Sequence, residues 1–187
     1  KSDYTTRDDG MKTYTLRAEE LRAAAPTLRA GDKVLLSGVI YTARDAAHKR
    51  LKALMDQGKP LPFPLQDAVI YYSGATPAPE GLPIGACGPT TSGRMDIYTP
   101  RLHDAGLCAT IGKGERSPEV VEAIRRCGGV YLCALGGAGA LAAKSVASCK
   151  VIAFEDLGCE AVKRMEVRDF PLIVGIDCHG GNLFAGG

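Results

Sequence analysis

Short apolar runs alternate with amphipathic segments along most of the chain. The apolar runs have the length of strands and predict buried strands at residues 33–41, 68–72, 107–111, 129–135, 150–154 and 171–177. The segments between them predict helices at residues 43–57, 92–105 and 138–148, and a further helix that opens with Ser117, Pro118 and Glu119. Strands that alternate with helices are typical of an α/β domain whose sheet is largely covered.

The chain is long enough for one domain of ordinary size. It has 187 residues, and its composition does not change along the chain in the way that separate domains produce. Residues 1–10 are polar and have no period, which predicts a flexible tail or a segment that another chain orders. Residues 11–187 are therefore predicted to form a single α/β domain.

Composition and charge exclude several classes of protein. Hydrophobic residues make up 45% of the chain and charged residues 24%, which excludes wholesale disorder. A formal net charge of +2 is too small for a nucleic-acid groove. The longest uncharged stretch, which includes residues 128–143, is shorter than the roughly 20 residues of a membrane span. Because no signal segment opens the sequence, we expect a cytoplasmic protein that binds neither nucleic acid nor membrane.

The cysteines and histidines do not form a metal-binding pattern. The chain has seven cysteines, no two of them form a Cys-x-x-Cys pair, and most lie in apolar runs. This favours buried thiols in a reducing compartment over a disulfide framework or a complete iron–sulfur site. His48, His103 and His179 lack metal-ligand spacing, so structural or surface roles are expected. We predict no metal ligand in this chain.

Arg44 runs against a local rule of helix structure. Thr42 is a candidate N-cap, and Asp45 lies three residues further on, close to a capping box. This reading places Arg44 in the first helical turn, where the helix dipole disfavours a cation. A residue that breaks a local rule often serves a site. The alternative is a surface arginine paired with Asp45.

The segment 88–96 is a candidate anion site. Three consecutive hydroxyl residues, Thr90, Thr91 and Ser92, lie between a Gly-Pro turn and a predicted helix. Backbone N–H groups at a helix start bind anions, and hydroxyls with the fork of Arg94 complement a carboxylate or phosphate. The alternative is a hydroxyl-rich cap with Arg94 bonded to Asp96 or to solvent.

Lys113 lies between two glycines at the predicted end of a strand. Flanking glycines allow a ligand to approach the backbone closely and leave the lysine free to reach it. The Walker pattern Gly-x-x-x-x-Gly-Lys-Ser/Thr is not complete here, so this is not a P-loop. On its own, Gly-Lys-Gly is a weak signal for a binding site.

A different function is indicated by Gly137 and Gly139. They belong to a Gly-x-Gly-x-x-Ala stretch after a predicted strand, and Glu155 lies near the distance expected for a ribose-binding acid. By spacing, this is a signal for a dinucleotide-binding domain. Against it, only about 30 residues follow Glu155, too few to complete a doubly wound fold. Close helix–sheet packing also explains the small residues.

Taken together, these motifs resemble a known family. The sequences at residues 42–50, 88–96, 111–114 and 153–158 resemble the C-terminal region of class I fumarases. That region corresponds to the beta chain of two-subunit iron–sulfur hydro-lyases, which include the L-tartrate dehydratases. The resemblance runs from about Lys33 to Phe184, and the motifs occur in the same order.

The resemblance implies a fold, a partner and a cofactor. The fold is a swivelling three-layer β/β/α domain that packs over a partner. The partner is an alpha subunit with a [4Fe–4S] cluster on three cysteines, one iron being open to substrate. The expected assembly is a hetero-oligomer, or a homodimer for the isolated chain, and the chain is expected to be inactive without the alpha subunit.

The resemblance also implies roles for individual residues. Arg44, Arg94 and Lys113 are expected to bind the carboxylates of a small dicarboxylate substrate, and Thr90 is expected to be the catalytic base. We add the neighbouring Thr91 to the substrate-binding residues. A threonine is a weak base, so Thr90 needs an activating neighbour; Asp96 or a residue of the partner are the candidates.

The family leaves two substrates open. The motifs at residues 43–50 and 154–158 look more like the fumarases, whereas residues 171–180 resemble an ending also found in tartrate dehydratase beta chains. We expect reversible hydration of fumarate to L-malate, with L-tartrate dehydration as the alternative. A third possibility is a non-catalytic module that only scaffolds an alpha chain.

Overall fold

The computed structural model describes residues 4–6, 10–76, 78–134 and 138–185. Within these ranges the strands are β1 Tyr4–Thr6, β2 Lys12–Arg17, β3 Lys33–Thr42, β4 Val69–Tyr71, β5 Ala109–Gly112, β6 Val130–Ala134, β7 Val146–Ala153 and β8 Val162–Ile176. The α-helices are α1 Leu21–Ala24, α2 Asp45–Asp56, α3 Thr99–Asp104, α4 Pro118–Cys127 and α5 Ala138–Ser145. Short 3₁₀ helices form at Ala18–Glu20, Ala25–Thr27, Ser92–Met95 and Glu155–Glu160.

Five strands close into a ring. β3, β4, β5 and β6 are neighbours in parallel, and β8 is antiparallel to both β6 and β3. Leu172 of β8 pairs with Val34 on one edge and with Ala134 on the other, so the sheet returns to its starting strand. β1 and β2 extend the sheet beyond β3, and β7 pairs along β8. The architecture is therefore a small barrel with strand extensions.

The interior of this barrel holds the main core. Alternate residues of a strand face opposite sides of a sheet, and in β3 every second residue, including Val34, Leu36 and Ile40, is fully buried. These residues form one buried cluster with Leu132 and Phe170 of the opposing strands. Each such side chain contributes about 2 kcal/mol of burial free energy. The repeat of two along the strands thus explains why the sheet closes around a core.

Helices cover the outer face of the parallel strands. Ile70 and Tyr72 belong to a second cluster that includes Leu51 of α2 and Leu102 of α3. A third cluster joins α4 to the outer face of β6 and β8, through the residues Val120, Ile124, Tyr131 and Ile176. The predicted α/β class is confirmed. Within the described ranges, no helix combines the length and apolar character that crossing a membrane requires.

The predicted helix at residues 92–105 is wrong as a single element. The chain forms a 3₁₀ helix at Ser92–Met95 and then the separate helix α3. Pro100 lies at the start of α3. Because proline lacks an N–H, it cannot donate the bond that a continuous helix would make to the carbonyl of Asp96.

Two strand segments have weaker sequence signals than the interior strands. β8 begins at Val162, well before the predicted strand at 171–177, and its first half alternates charged residues with buried Met165 and Val167. That alternation is the signal of a strand with one solvated face. β1 pairs antiparallel with β2, so residues 4–6 of the predicted tail form a strand. Residues 1–3 and 7–9 lie outside the described residues.

Candidate functional site

The predicted site residues lie at the carboxyl ends of three neighbouring parallel strands. Arg44 follows β3, Lys113 follows β5, and Thr90 contacts the end of β4 between them. Strands in a sheet are about 4.8 Å apart, so the ends of β3 and β5 are separated by about 10 Å. This edge is where ligands bind in open parallel sheets, and the span suits a small ligand.

Backbone hydrogen bonds fix the hydroxyl segment to this edge. The amide of Thr90 donates to the carbonyl of Tyr72 at 2.7 Å, one residue beyond β4. Thr91 forms an isolated parallel bridge with Lys113, and the amide of Ser92 donates to the carbonyl of Lys113 at 2.9 Å. Residues 90–92 are therefore hydrogen-bonded to the residues that follow β4 and β5, which brings Thr90, Thr91 and Lys113 close together.

Gly112 allows this close approach. A Cβ at this position would lie 2.0 Å from the Oγ of Ser92 and 2.8 Å from the ring of Tyr72. The Oγ of Ser92 is itself held by a hydrogen bond of 2.8 Å to the hydroxyl of Tyr131. That hydroxyl donates to the carbonyl of Gly114 at 2.7 Å. The first glycine beside Lys113 thus makes room for the side chains of Ser92 and Tyr72, whereas the sequence suggested that it makes room for a ligand.

Arg44 is the N-cap residue of α2, and the helix begins at Asp45. The predicted cap at Thr42 is wrong, because Thr42 is the buried last residue of β3 and its Oγ1 accepts from the amide of Lys163. The acidic residue in the first turn is Asp45. Arg44 therefore precedes the helix, and the helix dipole is complemented by a carboxylate as usual.

Arg94 pairs with the carboxylate of Asp45, whereas Arg44 lies near that of Glu160. The Nε of Arg94 is 3.2 Å from Oδ1 of Asp45, the residue next to Arg44. The predicted alternatives of an Arg44–Asp45 pair and an Arg94–Asp96 bond are therefore replaced by an Arg94–Asp45 pair. Among the residues that the structure describes, none gives the buried Nε of Arg44 a hydrogen bond, and this atom lies 4.0 Å from Oε1 of Glu160. A buried guanidinium N–H without a partner is costly unless a ligand supplies an acceptor.

The exposure of the site residues leaves their functional groups accessible. Lys113 and Thr91 are exposed, and Thr90 is half-buried. The side chain of Arg94 is 57% exposed, and that of Arg44 is 30% exposed. Three cations thus share this edge with the carboxylates of Asp45 and Glu160. The arrangement suits an anion with more than one negative charge, because several cations can each contact a different part of it.

Asp96 does not contact Thr90. Its Oδ1 accepts from the Nε of Arg116 at 2.6 Å, and its Oδ2 accepts from the amide of Ser117 at 2.6 Å. Both carboxylate oxygens are thus committed below the site, and the suggestion that Asp96 activates Thr90 is not supported. Sequence reasoning gave Arg116 no role. Its signal is a lone arginine before a helix cap, which is typical of a solvated loop.

His48 and His103 have structural roles. Burial lowers the pKa of each imidazole to about 4, so both are neutral near pH 7. The Nδ1 of His48 is hydrogen-bonded to the carbonyl of Arg44 at 2.8 Å, and that of His103 to the carbonyl of Leu107 at 3.0 Å. In the described part of the chain, no group of three or more His, Cys, Asp or Glu side chains could hold a metal ion.

The dinucleotide-binding reading is wrong in its topology. Gly137 lies outside the described residues, and Gly139 lies in α5. β6 and β7 both pair antiparallel with β8, at its residues 172–176 and 162–167 respectively. They follow one another along the same edge of β8, and α5 joins them. A dinucleotide site needs two parallel strands side by side with the helix crossing between them, which this connection does not form.

Comparison with known proteins gives one matching family model and several relatives. The family model described as "Fumarase C-terminus" matches residues 2–187. The chain is 41% identical over 157 residues to "Fumarate hydratase 2" of Leishmania major, covering 83% of this chain and 28% of that protein. It is 39% identical over 168 residues to "Fumarate hydratase class I, anaerobic" of Escherichia coli (strain K12), covering 89% of this chain and 31% of that protein.

A relative of similar length has a different name. A Methanocaldococcus jannaschii protein provisionally named L(+)-tartrate dehydratase subunit beta is 38% identical over 163 residues, which is 84% of each chain. By contrast, the chain spans less than a third of the length of the two fumarate hydratases above. The relatives thus include both long proteins and one protein of this chain's size.

Proposed function

We propose a function from the premise that this chain belongs to the fumarase C-terminus family, whose model matches residues 2–187. The chain contributes to the reversible hydration of fumarate to L-malate. The observation that supports the proposal is that Arg44, Thr90, Thr91 and Lys113 lie at one edge of the barrel, with Arg94 paired to Asp45, the residue after Arg44.

The first role of this edge is to bind and orient a dianion. Fumarate and malate each carry two carboxylates, and two guanidinium forks with one ammonium can neutralise and position both. The buried Nε of Arg44 supplies a donor that has no acceptor within the described protein. Holding the substrate in one orientation converts binding energy into a lower barrier, since reacting groups no longer have to find each other.

The second role is proton transfer at Thr90. Dehydration of malate removes a proton from a carbon next to a carboxylate, and negative charge then builds up on that carboxylate. Arg44, Arg94 and Lys113 stabilise this developing charge. The amide of Thr90 donates a hydrogen bond to the carbonyl of Tyr72. This hydrogen bond fixes the backbone from which the hydroxyl of Thr90 reaches the substrate. As the base, Thr90 acts in its deprotonated form, which the neighbouring cations favour.

The departing hydroxyl requires a group outside this chain. A [4Fe–4S] cluster on an alpha subunit, when bound, supplies the Lewis acid for this step. The residues of this edge agree with a cluster that is held by the partner. They are cations and hydroxyls, which bind the carboxylates of a substrate, and they are not the thiolates that hold an iron–sulfur cluster. The closed sheet with helices on its outer face supports the three-layer β/β/α domain that swivels over this partner. The proposed assembly is a hetero-oligomer in the cytoplasm.

The direct test combines this chain with its cluster-bearing alpha subunit under anaerobic conditions and measures the loss of fumarate and of L-malate. We expect turnover by the mixture and none by either subunit alone. Turnover by this chain alone would contradict the role of the partner. Normal turnover after Arg44, Arg94 and Lys113 are all replaced by methionine would contradict the substrate site and favour a module that only scaffolds the alpha chain.

A second candidate is the dehydration of L-tartrate, with this chain as the beta subunit. The observation that favours it is the Methanocaldococcus jannaschii relative, which matches this chain over 84% of both lengths. Tartrate is also a dicarboxylate, so the same three cations bind it. The same assay distinguishes the two, because the ratio of kcat/KM for fumarate to that for L-tartrate identifies the substrate.

A further inference from the structure

Arg116 lies directly below the candidate site, and its side chain is fully buried. All three nitrogens of its guanidinium donate hydrogen bonds. Nε donates to Oδ1 of Asp96 at 2.6 Å, and Nη1 donates to Oγ1 of Thr110 at 2.9 Å. Nη2 donates to the hydroxyl of Tyr72 and to Oγ1 of Thr99, both at 2.9 Å. A fully buried cation persists only when its donors are satisfied in this way.

Two of these contacts connect Arg116 to different segments of the candidate site. Asp96 ends the 3₁₀ helix that carries Arg94. Tyr72 provides the carbonyl that accepts from the amide of Thr90, so one residue bonds to Thr90 through its backbone and to Arg116 through its side chain. Arg116 itself is three residues after Lys113. One guanidinium therefore connects the three chain segments that carry Thr90, Arg94 and Lys113.

The surroundings of Arg116 require a planar fork. The guanidinium carbon lies 5.1 Å from the ring centre of Tyr72 and 4.8 Å from that of Tyr131. Both rings thus contact the cation. A lysine keeps the charge but has no fork, so it cannot bond Asp96, Thr110 and Tyr72 at the same time. Replacement by lysine therefore tests the geometry of the group separately from its charge.

We infer that Arg116 is a positioning residue, which fixes the segments of Thr90, Arg94 and Lys113 relative to one another without contacting the substrate. This inference rests on the proposed function, because it assigns Arg116 to the hydro-lyase site. Misplacement of a reacting group by about 1 Å costs on the order of 100-fold in rate. Arg116 thus acts on kcat through the placement of Thr90 and on KM through the placement of the cations.

The test compares Arg116→Lys with Arg22→Lys in the enzyme assembled with its alpha subunit. Arg22 is a matched control, because its guanidinium also makes four hydrogen bonds but at the opposite edge of the barrel. Both variants are measured by thermal unfolding, by kcat and KM for fumarate, and by amide hydrogen exchange of peptides from this chain. Kinetics are recorded well below the Tm of each variant.

We expect Arg116→Lys to lower kcat/KM on the order of 100-fold and to speed amide exchange at residues 88–96. Arg22→Lys is expected to lower the Tm while kcat/KM and exchange at residues 88–96 stay near those of the wild type. Equal losses of kcat/KM in the two variants, or unchanged exchange at residues 88–96 in Arg116→Lys, would overturn the inference.

Tyr72→Phe is the second variant if Arg116→Lys does not fold. It removes one hydrogen bond of Arg116 and keeps the guanidinium, so a smaller loss of kcat in the same direction is expected. A normal kcat in Tyr72→Phe would count against positioning. If the wild-type enzyme converts none of the dicarboxylates, the proposed function fails. Amide exchange at residues 88–96 then decides whether Arg116 orders this segment.

Discussion

The two edges of the barrel are each held by one arginine, in different ways. At the amino ends of the parallel strands, Arg22 donates to the backbone carbonyls of Gly106, Leu107 and Cys127 and to Asp67, all of which precede β4, β5 or β6. At the carboxyl ends, Arg116 donates only to side chains. Backbone contacts fix where strands begin, whereas side-chain contacts fix the loops that carry the candidate site.

The same contrast applies to one glycine at each edge. A Cβ at Gly106 would lie 2.6 Å from Oε1 of Gln66, the end of a side chain, and 3.2 Å from the Cα of that residue. A Cβ at Gly112 would lie 2.0 Å from Oγ of Ser92, which is buried and hydrogen-bonded. A change at Gly106 therefore falls on Gln66 at the amino edge, whereas a change at Gly112 falls on the segment that carries Thr90 and Thr91. We expect the first change to lower stability and the second to lower function as well.

The largest effect is expected from Thr90→Ala. Loss of the proposed catalytic base is expected to lower kcat about 10²- to 10⁴-fold, while the hydrogen bond from the amide of residue 90 to Tyr72 is kept, so the Tm is expected to stay near that of the wild type. Steady-state kinetics and dicarboxylate binding by calorimetry measure the two quantities. The conservative control is Thr90→Ser, which keeps a hydroxyl and is expected to retain more activity. A near-normal kcat in Thr90→Ala would show that another group takes the proton.

Gly112→Ala and Gly106→Ala test the difference between the two edges of the barrel directly. Gly112→Ala is expected to displace Ser92, which costs about 1–3 kcal/mol of stability and lowers kcat/KM. Gly106 has φ +120, so alanine there introduces backbone strain of about 1–3 kcal/mol with kcat/KM unchanged. Chemical denaturation and kinetics of both variants check this. An active Gly112→Ala enzyme would mean that the site does not depend on this contact.

Arg94→Lys tests whether a fork or only a charge is needed at the carboxyl edge. The loss of bidentate contact with a substrate carboxylate is expected to raise KM about tenfold, which corresponds to roughly 1.4 kcal/mol. The control is Arg101→Lys. Arg101 forms an exposed ion pair with Asp56, and its replacement is expected to change KM by less than twofold. An unchanged KM in Arg94→Lys would exclude bidentate binding.

The smallest effect on activity is expected from a change in pH, which acts mainly on stability. Burial lowers the pKa of His48 and His103 to about 4, while the unfolded chain has the ordinary value of about 6.5. Between these values the unfolded state binds more protons, so stability falls as the pH falls from about 6.5 to about 4. Each histidine contributes on the order of 3 kcal/mol to this loss.

One of the two histidines lies near each edge of the barrel. His48 holds the carbonyl of Arg44 near the site, and His103 holds that of Leu107 at the amino edge. We expect His48→Gln and His103→Gln each to reduce the slope of unfolding free energy against pH between about 4 and 6.5. Only His48→Gln is expected to raise KM. Denaturant unfolding across this pH range measures the slope, and an unaltered slope in both variants would refute the assignment.

Local signals made part of this fold predictable. The apolar run at residues 33–41 matches β3, and the sequence Ser117-Pro118-Glu119 marks the start of α4, where Oγ of Ser117 accepts from the amide of Val120. These features depend on neighbouring residues alone. The closure of the barrel depends on β8, whose two edges pair with strands far away in sequence. No local pattern encodes such partners, so the ring was not predicted.

The site was predictable to the same extent. Arg44, Arg94 and Lys113 were found because each lies beside glycines, hydroxyls or a predicted helix start. The pairing of Arg94 with Asp45 and the burial of Arg116 depend on how separate segments meet in space. An arginine in a sequence looks the same whether it is solvated or buried. Such a residue is found only when its contacts are known.

Closure of the five strands also limits how the family can change in length. In a closed ring, an extra residue in a strand shifts the register of its neighbours unless a β-bulge absorbs it, as at the register shifts between Leu36 and Gly38 and between Tyr131 and Leu132. A change of length is therefore accommodated more easily in a connection, such as the one that joins β4 to the hydroxyl segment. A longer or shorter connection leaves the circumference of the ring as it is.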